Sequence, residues 1–165
     1  MSKKLYLIRH SYAEEPNANK DFDRRLTQAG QTMVRSLGRY ITDKKMNPDI
    51  LLASPSVRTT ETAINLVEEL DISEQLISYE DVIYNASVRE LLAVVNGISK
   101  DHKEVMIIGH NPAITFFGEF LTGSVIGNME PAGIVSIKFD FNAWEQVSQS
   151  TGILEYYYHP SHGDL

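Results

Sequence analysis

Two histidines, each ending a run of strand-forming residues, carry the most chemistry in this sequence. Lys4-Leu5-Tyr6-Leu7-Ile8 runs straight into Arg9-His10, and Val105-Met106-Ile107-Ile108-Gly109 ends on His110. Ligands of open α/β sheets sit beyond the carboxyl ends of parallel strands. If these two strands are parallel neighbours, both imidazoles and Arg9 enter one crevice. A third segment, Ser54-Pro55-Ser56-Val57-Arg58, follows another short strand and sets Arg58 in the first turn of a helix. Phosphate dianions favour helix N-termini, where free N–H groups and the positive dipole end point at them. The planar guanidinium fork matches phosphate oxygens. Two imidazoles, two guanidiniums and helix N-termini around one small anion are the equipment of phosphoryl transfer.

These residues need elements to position them, and the pattern alternates strand and helix, which implies an α/β fold. After the first strand, Ser11 to Asp23 reads as a polar loop. Thr27 is placed to cap a helix whose apolar positions Met33, Val34, Leu37 and Ile41 share one face. Ile50-Leu51-Leu52-Ala53 is a short buried strand; Ser54-Pro55 then offers an N-cap hydroxyl and a first-turn proline to a helix with Ala63, Leu66, Val67 and Leu70 inward. Leu76 to Tyr79 forms a third strand, and Ser87 with Glu90 has capping-box spacing before Leu91, Leu92, Val95 and Ile98. Asn111-Pro112 reads as a cap for an apolar helix through Phe116, Phe117, Phe120 and Leu121. Val135, Ile137 and Phe139 alternate with Ser136 and Lys138, the pattern of a half-exposed antiparallel strand, and a last strand lies around Ile153 to Tyr157. The expected architecture is three-layered: a mostly parallel central sheet flanked by helices, with antiparallel C-terminal strands, in one domain over 1–165.

Composition narrows the function classes. The 165 residues suffice for one sizeable core, and 42% hydrophobic with 22% charged residues is ordinary for a globular protein. No apolar run approaches a membrane span, and no secretory h-region precedes the first strand. Cysteine is absent, which removes thiolate and disulfide chemistry and suits a cytoplasmic setting. A net charge of −7 argues against a nucleic-acid surface, yet permits a small cationic pocket.

Four segments in register resemble the histidine phosphatase superfamily, the phosphoglycerate-mutase-like fold, and most closely its short SixA-type phosphohistidine phosphatase branch. They are Leu7-Ile8-Arg9-His10, Arg24-Arg25-Leu26-Thr27-Gln28-Ala29-Gly30, the run from Ser54-Pro55 through Arg58 to Thr62-Ala63, and Ile108-Gly109-His110-Asn111-Pro112. The resemblance implies that His10 attacks phosphorus and that Arg9, Arg58 and His110 stabilise the transferring group, with Arg24 a further phosphate-pocket arginine. It also implies an acid in the loop after the third strand; Asp81 fits the family position by its spacing to Tyr84 better than Glu80 does. Two residues depart from the family pattern. Ser11 stands where glycine is usual, and Arg25 where proline is usual. The serine could narrow the pocket or contribute a hydroxyl.

The implied activity is a phosphatase working through a covalent phosphohistidine on His10, needing no cofactor or metal. Short intervals between the motifs imply an open pocket, which suits phosphohistidine on a protein partner and equally admits a small phosphomonoester. A promiscuous phosphomonoesterase therefore stays open as an alternative, as does a phospho-ligand binding module without chemistry. A mutase fits less well, since a lidless site leaks its intermediate to water. The plainer readings of single residues also stand: Arg24 as a solvated loop cation, Asp81 and Glu80 as turn acids, Asn111 and Ser54 as helix caps. His159 and His162 could be joined with His10 as metal ligands, but no cysteine or carboxylate cluster completes a zinc set.

Overall fold

A computed structural model describes residues 2–16 and 20–160. Six strands form one sheet: β1 (Lys3–Arg9), β2 (Ile50–Ala53), β3 (Ile77–Tyr79), β4 (Glu104–Gly109), β5 (Ile134–Phe139) and β6 (Ile153–Tyr158), in the spatial order β3-β2-β4-β1-β5-β6. The first four are mutually parallel, while β5 runs antiparallel to β1 and β6 antiparallel to β5. This is the mixed, mostly parallel sheet that the alternating pattern predicts. Four helices flank it: α1 (Gln28–Asp43), α2 (Val57–Leu70), α3 (Val88–Asn96) and α4 (Ala113–Thr122).

Successive strand residues point to opposite faces, so one strand feeds two cores. Tyr6 and Ile8 of β1, with Met106 and Ile108 of β4, pack with Met33, Val34 and Leu37 of α1 and with Ala63, Leu66 and Val67 of α2. Leu5 and Leu7, with Val105 and Ile107, pack instead with Leu91 and Val95 of α3 and with Ile114, Phe117 and Leu121 of α4. Each fully buried aliphatic side chain contributes about 1.5–3 kcal/mol of transfer free energy. The result is an α/β/α sandwich whose central strands are apolar on both faces because both faces are covered.

Two helix starts behave as their sequences promise. Thr27 accepts from the Gly30 N–H at the head of α1, and Ser87 with Glu90 forms a reciprocal capping box on α3. Three sequence readings are corrected. α2 begins at Val57 behind Ser56, so Ser54 is not its cap; its hydroxyl lies 2.8 Å from a ring nitrogen of His110. The residue flanking α4 is Pro112, and Asn111 spends its amide on Thr115, Asn128 and the Met129 carbonyl. β5 is no half-exposed strand: enclosed between β1 and β6, it buries Ser136 to 1% exposure beside the Glu155 carboxylate. Its polar alternation had suggested water, but a neighbouring strand covers it.

The topology makes the crevice. β1 and β4 are parallel neighbours with Arg9 opposite Gly109. From their carboxyl ends the chain departs to opposite faces, toward α1 after β1 and toward α4 after β4. A sheet whose connections part in this way leaves an open slot between the strand ends, the position where ligands of α/β folds bind.

Candidate active site

A cavity of about 570 Å³ opens at that slot, and Arg9, His10, Arg24, Arg58 and His110 all line it. The His10 and His110 ring centroids are 5.3 Å apart. Arg58 lies between them: its Nε is 3.3 Å from His10 Nε2, and its Nη2 is 3.3 Å from His110 Nδ1. Segments separated by half the chain are thus held around one point by the strand register and by the first turn of α2.

Tautomers follow from the partners. His10 Nδ1 lies 2.8 Å from the Ser11 carbonyl, which can only accept, so Nδ1 carries the proton and Nε2 the lone pair. His110 faces the reverse situation. Arg58 can only donate, so Nδ1 of the neutral ring accepts, and Nε2–H is directed to the Ser54 hydroxyl. Burial pushes the His10 pKa down to about 3 against the Ser11 hydrogen bond, with His110 once protonated, Arg58 and Arg9 working the same way as burial. Burial and Arg58 lower His110 to about 4. Both rings are therefore neutral at pH 7, and His10 presents a nucleophilic nitrogen toward a guanidinium.

Arg9 anchors one wall. Its Nη1 donates to the Met129 carbonyl at 2.7 Å, its backbone pairs with Ala132 and Gly133, and its buried Nε has no hydrogen-bond partner among the described residues. Ser11 does not reshape the pocket with its hydroxyl. Its Oγ donates to the Gly30 carbonyl at 2.7 Å and its N–H to Thr62 Oγ1, both buried. The N-terminal end of α4 borders the cavity through Pro112, Ala113 and Ile114.

The expected acids are elsewhere. Asp81 is exposed at the start of a 3-10 turn (Asp81–Ile83) and does not line the cavity. Glu80 accepts from Ser78 Oγ and lines a separate hollow beside β2 and α3. Geometry thus gives neither carboxylate contact with the site, whereas Tyr84, three residues beyond Asp81, does enter it. The carboxylate that reaches the cavity is Asp21, which residue spacing did not single out. Its Oδ2 accepts from Tyr84 Oη at 2.6 Å and from Arg58 Nη2 at 3.2 Å; its Oδ1 accepts from Arg24 Nη2 at 3.0 Å. Arg58 also donates to the Asp21 backbone carbonyl, and Arg24 to that of Glu14. The Tyr84 hydroxyl first, and then the two arginines, hold the Asp21 pKa down to about 2 against the opposing effect of desolvation, so it is ionised across the working pH range. A signal was available in Asp21-Phe22-Asp23-Arg24, an acid three residues before an arginine of the resembling segment, but nothing local fixes where such a loop folds. The His159 ring lies tilted against Tyr157 and is not part of the cavity lining, and His162 lies outside the described residues. Among the described residues, no three His, Asp or Glu side chains are grouped as a metal site.

The fold is shared with proteins of known structure. Solved structures with the same fold include a candidate phosphohistidine phosphatase SixA from Nakamurella multipartitia, 24% identical over 97% of both chains with a TM-score of 0.82. A protein histidine phosphatase SixA complexed with tungstate aligns at 19% identity over 94% of this chain and 96% of that one, with a TM-score of 0.81. A mycobacterial glucosyl-3-phosphoglycerate phosphatase in complex with VO3 matches at 13% identity over 96% of this chain and all of that one, with a TM-score of 0.69. No curated protein matches by sequence. At these identities the likeness is one of fold. The family itself is given by sequence: the pattern of the histidine phosphatase superfamily (branch 1) matches residues 5–91, more than half the chain, and the protein belongs to that superfamily.

Proposed function

We propose that this chain is a phosphatase that transfers the phosphoryl group of a protein phosphohistidine to His10 Nε2 and then to water. The observation that carries this reading is Arg58 bridging the two imidazoles, Nε toward His10 Nε2 and Nη2 toward His110 Nδ1. A phosphoryl group between them receives attack from one ring while the guanidinium fork meets its equatorial oxygens. Arg9 and Arg24 add positive charge to the same cavity. His110 gains a proton as the dianion arrives, because a nearby negative charge raises an imidazole pKa. Positive charge comes from guanidiniums, so the reading calls for no metal.

Substrate class follows from the acid. An alkoxide leaving group needs a proton, and the carboxyl group that lines the cavity, Asp21, is ionised. A phosphorylated imidazole protonated on its other nitrogen leaves as neutral imidazole and needs no such donor. The cavity is open enough for small phosphomonoesters, and activated ones with good leaving groups are the second class we expect it to turn over.

His10→Ala is expected to lose more than about a thousandfold in turnover while still binding tungstate or vanadate. Acid-labile labelling of the wild type and its absence in the variant identify the phosphohistidine. Full activity in His10→Ala would reject the nucleophile. Oxyanion binding with no labelling of the wild type in a single turnover would make the chain a binding module.

A further inference from the structure

Resting on the phosphohistidine reading, the geometry points to Asp21 as the residue that selects a phosphorylated imidazole over a phosphate ester, by accepting the N–H of the ring nitrogen that carries no phosphorus. Its carboxylate lines the same cavity as His10 and is the acidic group of that lining. The side chain is 56% exposed, so a ligand can reach it.

In the free protein the carboxylate is engaged on both oxygens. Oδ1 faces Arg24, and Oδ2 is shared by Tyr84 Oη at 2.6 Å and Arg58 Nη2 at 3.2 Å. Arg58 is therefore neutralised by a carboxylate until an anion arrives. A phosphoryl dianion between the two imidazoles competes for the Arg58 fork, because it offers more charge and more acceptor oxygens. Withdrawal of Nη2 frees an acceptor position on Oδ2, toward the cavity. Tyr84 and Arg24 keep the carboxylate in place while this happens. The charged or titratable groups facing Asp21 are then Arg24, Arg58, Tyr84 and His110. All but Tyr84 are cationic or become so, and they favour the carboxylate over the carboxylic acid.

The balance of the step is simple. The His10 Nε2 lone pair forms the new P–N bond. The substrate's P–N bond breaks, and its electron pair goes to the departing ring nitrogen. The other ring nitrogen keeps the proton that Asp21 has held in place, so the ring departs as neutral imidazole and no proton is delivered during transfer. Without an acceptor the substrate ring loses that proton more readily, and the leaving group becomes an imidazolate. An ester has no N–H for Asp21 to receive, and an ionised Asp21 gives it no proton.

The test compares Asp21→Asn with the wild type on a phosphohistidine peptide and on p-nitrophenyl phosphate, whose leaving group carries no N–H. Both substrates lose whatever depends on the placement of Arg58 and Arg24. The phosphohistidine reaction should lose a further ten- to hundredfold in kcat/KM, about the weight of one charge-assisted hydrogen bond. Its alkaline limb should also move to lower pH in the variant by more than that of p-nitrophenyl phosphate hydrolysis, since the substrate ring then deprotonates earlier; loss of the Asp21 charge beside His110 moves both limbs alike. Equal losses on both substrates, with the two pH profiles moving together or not at all, would overturn the assignment. A wild type that cleaves p-nitrophenyl phosphate but leaves the phosphohistidine peptide intact would instead remove the substrate reading on which it rests.

Discussion

The proposed attack of His10 on phosphorus needs one nitrogen free and the ring held still, and its partners supply both: Ser11 O accepts the Nδ1–H, and Nε2 is turned to Arg58. The second imidazole is held by a hydroxyl. Ser54 Oγ is 2.8 Å from His110 Nε2, is fully buried, and also accepts from the Ser56 N–H. Ser54→Ala should leave the fold intact, since α2 starts later, but free His110 to rotate away from Arg58. We expect kcat to fall about tenfold, the weight of one net hydrogen bond, with oxyanion affinity reduced less; steady-state kinetics beside vanadate titration check it, and unchanged kcat would make Ser54 a packing residue. At this scale the sequence was readable where chemistry is local. Arg9-His10, Arg58 and His110 come together because strand ends and a first helical turn dictate their directions. Ser54 reads as a cap because serine before proline usually is one, and its real partner lies 56 residues away. Asp21 and Asp81 are both loop acids, and only tertiary packing decides which reaches the cavity.

The element that shapes the pocket floor is the chain after β1 where it meets the head of α1. Thr27 N–H donates to the Tyr12 carbonyl, Ala13 bridges to Leu26, and Ser11 Oγ donates to Gly30 O. Gly30 permits this approach: a Cβ there would sit 2.2 Å from the Tyr12 carbonyl oxygen, a backbone atom that cannot step aside. Gly30→Ala should therefore push the 11–13 segment off α1 and carry His10 with it. Destabilisation of about 1–3 kcal/mol is expected from the overpacking alone, read by urea unfolding, together with weaker tungstate binding. Normal binding in a folded Gly30→Ala protein would show that the segment yields without moving the site. The helix and strand existence was legible from periodicity, and Thr27 and the Ser87–Glu90 box from capping chemistry. The burial of β5 was not, because a serine facing a covering strand and a serine facing water look the same in one sequence.

Taken as a whole molecule, the protein carries a net charge of −7 yet gathers Arg9, Arg24 and Arg58 into one cavity, and it keeps two imidazoles neutral there. That last feature has a thermodynamic cost at low pH. In the unfolded chain both histidines bind a proton below a pKa of 6.5, whereas in the folded protein His10 does so only near 3 and His110 near 4. Between those limits the unfolded state holds more protons, so stability rises with pH, by up to about 1.4 kcal/mol per pH unit for each fully unprotonated ring. The stabilisation is complete above about pH 6.5 and is lost as pH falls through the window to about 3. Asp21, depressed from 3.8 to about 2, adds to the same slope only at the acid end. The urea midpoint should accordingly fall from pH 7 to pH 4.5, and His10→Ala should flatten part of that fall, because one of the two rings no longer has to be kept unprotonated. A variant with the wild-type slope would show that His10 is not held neutral by the fold, and the proposed nucleophile would then lack the lone pair that the proposed mechanism requires.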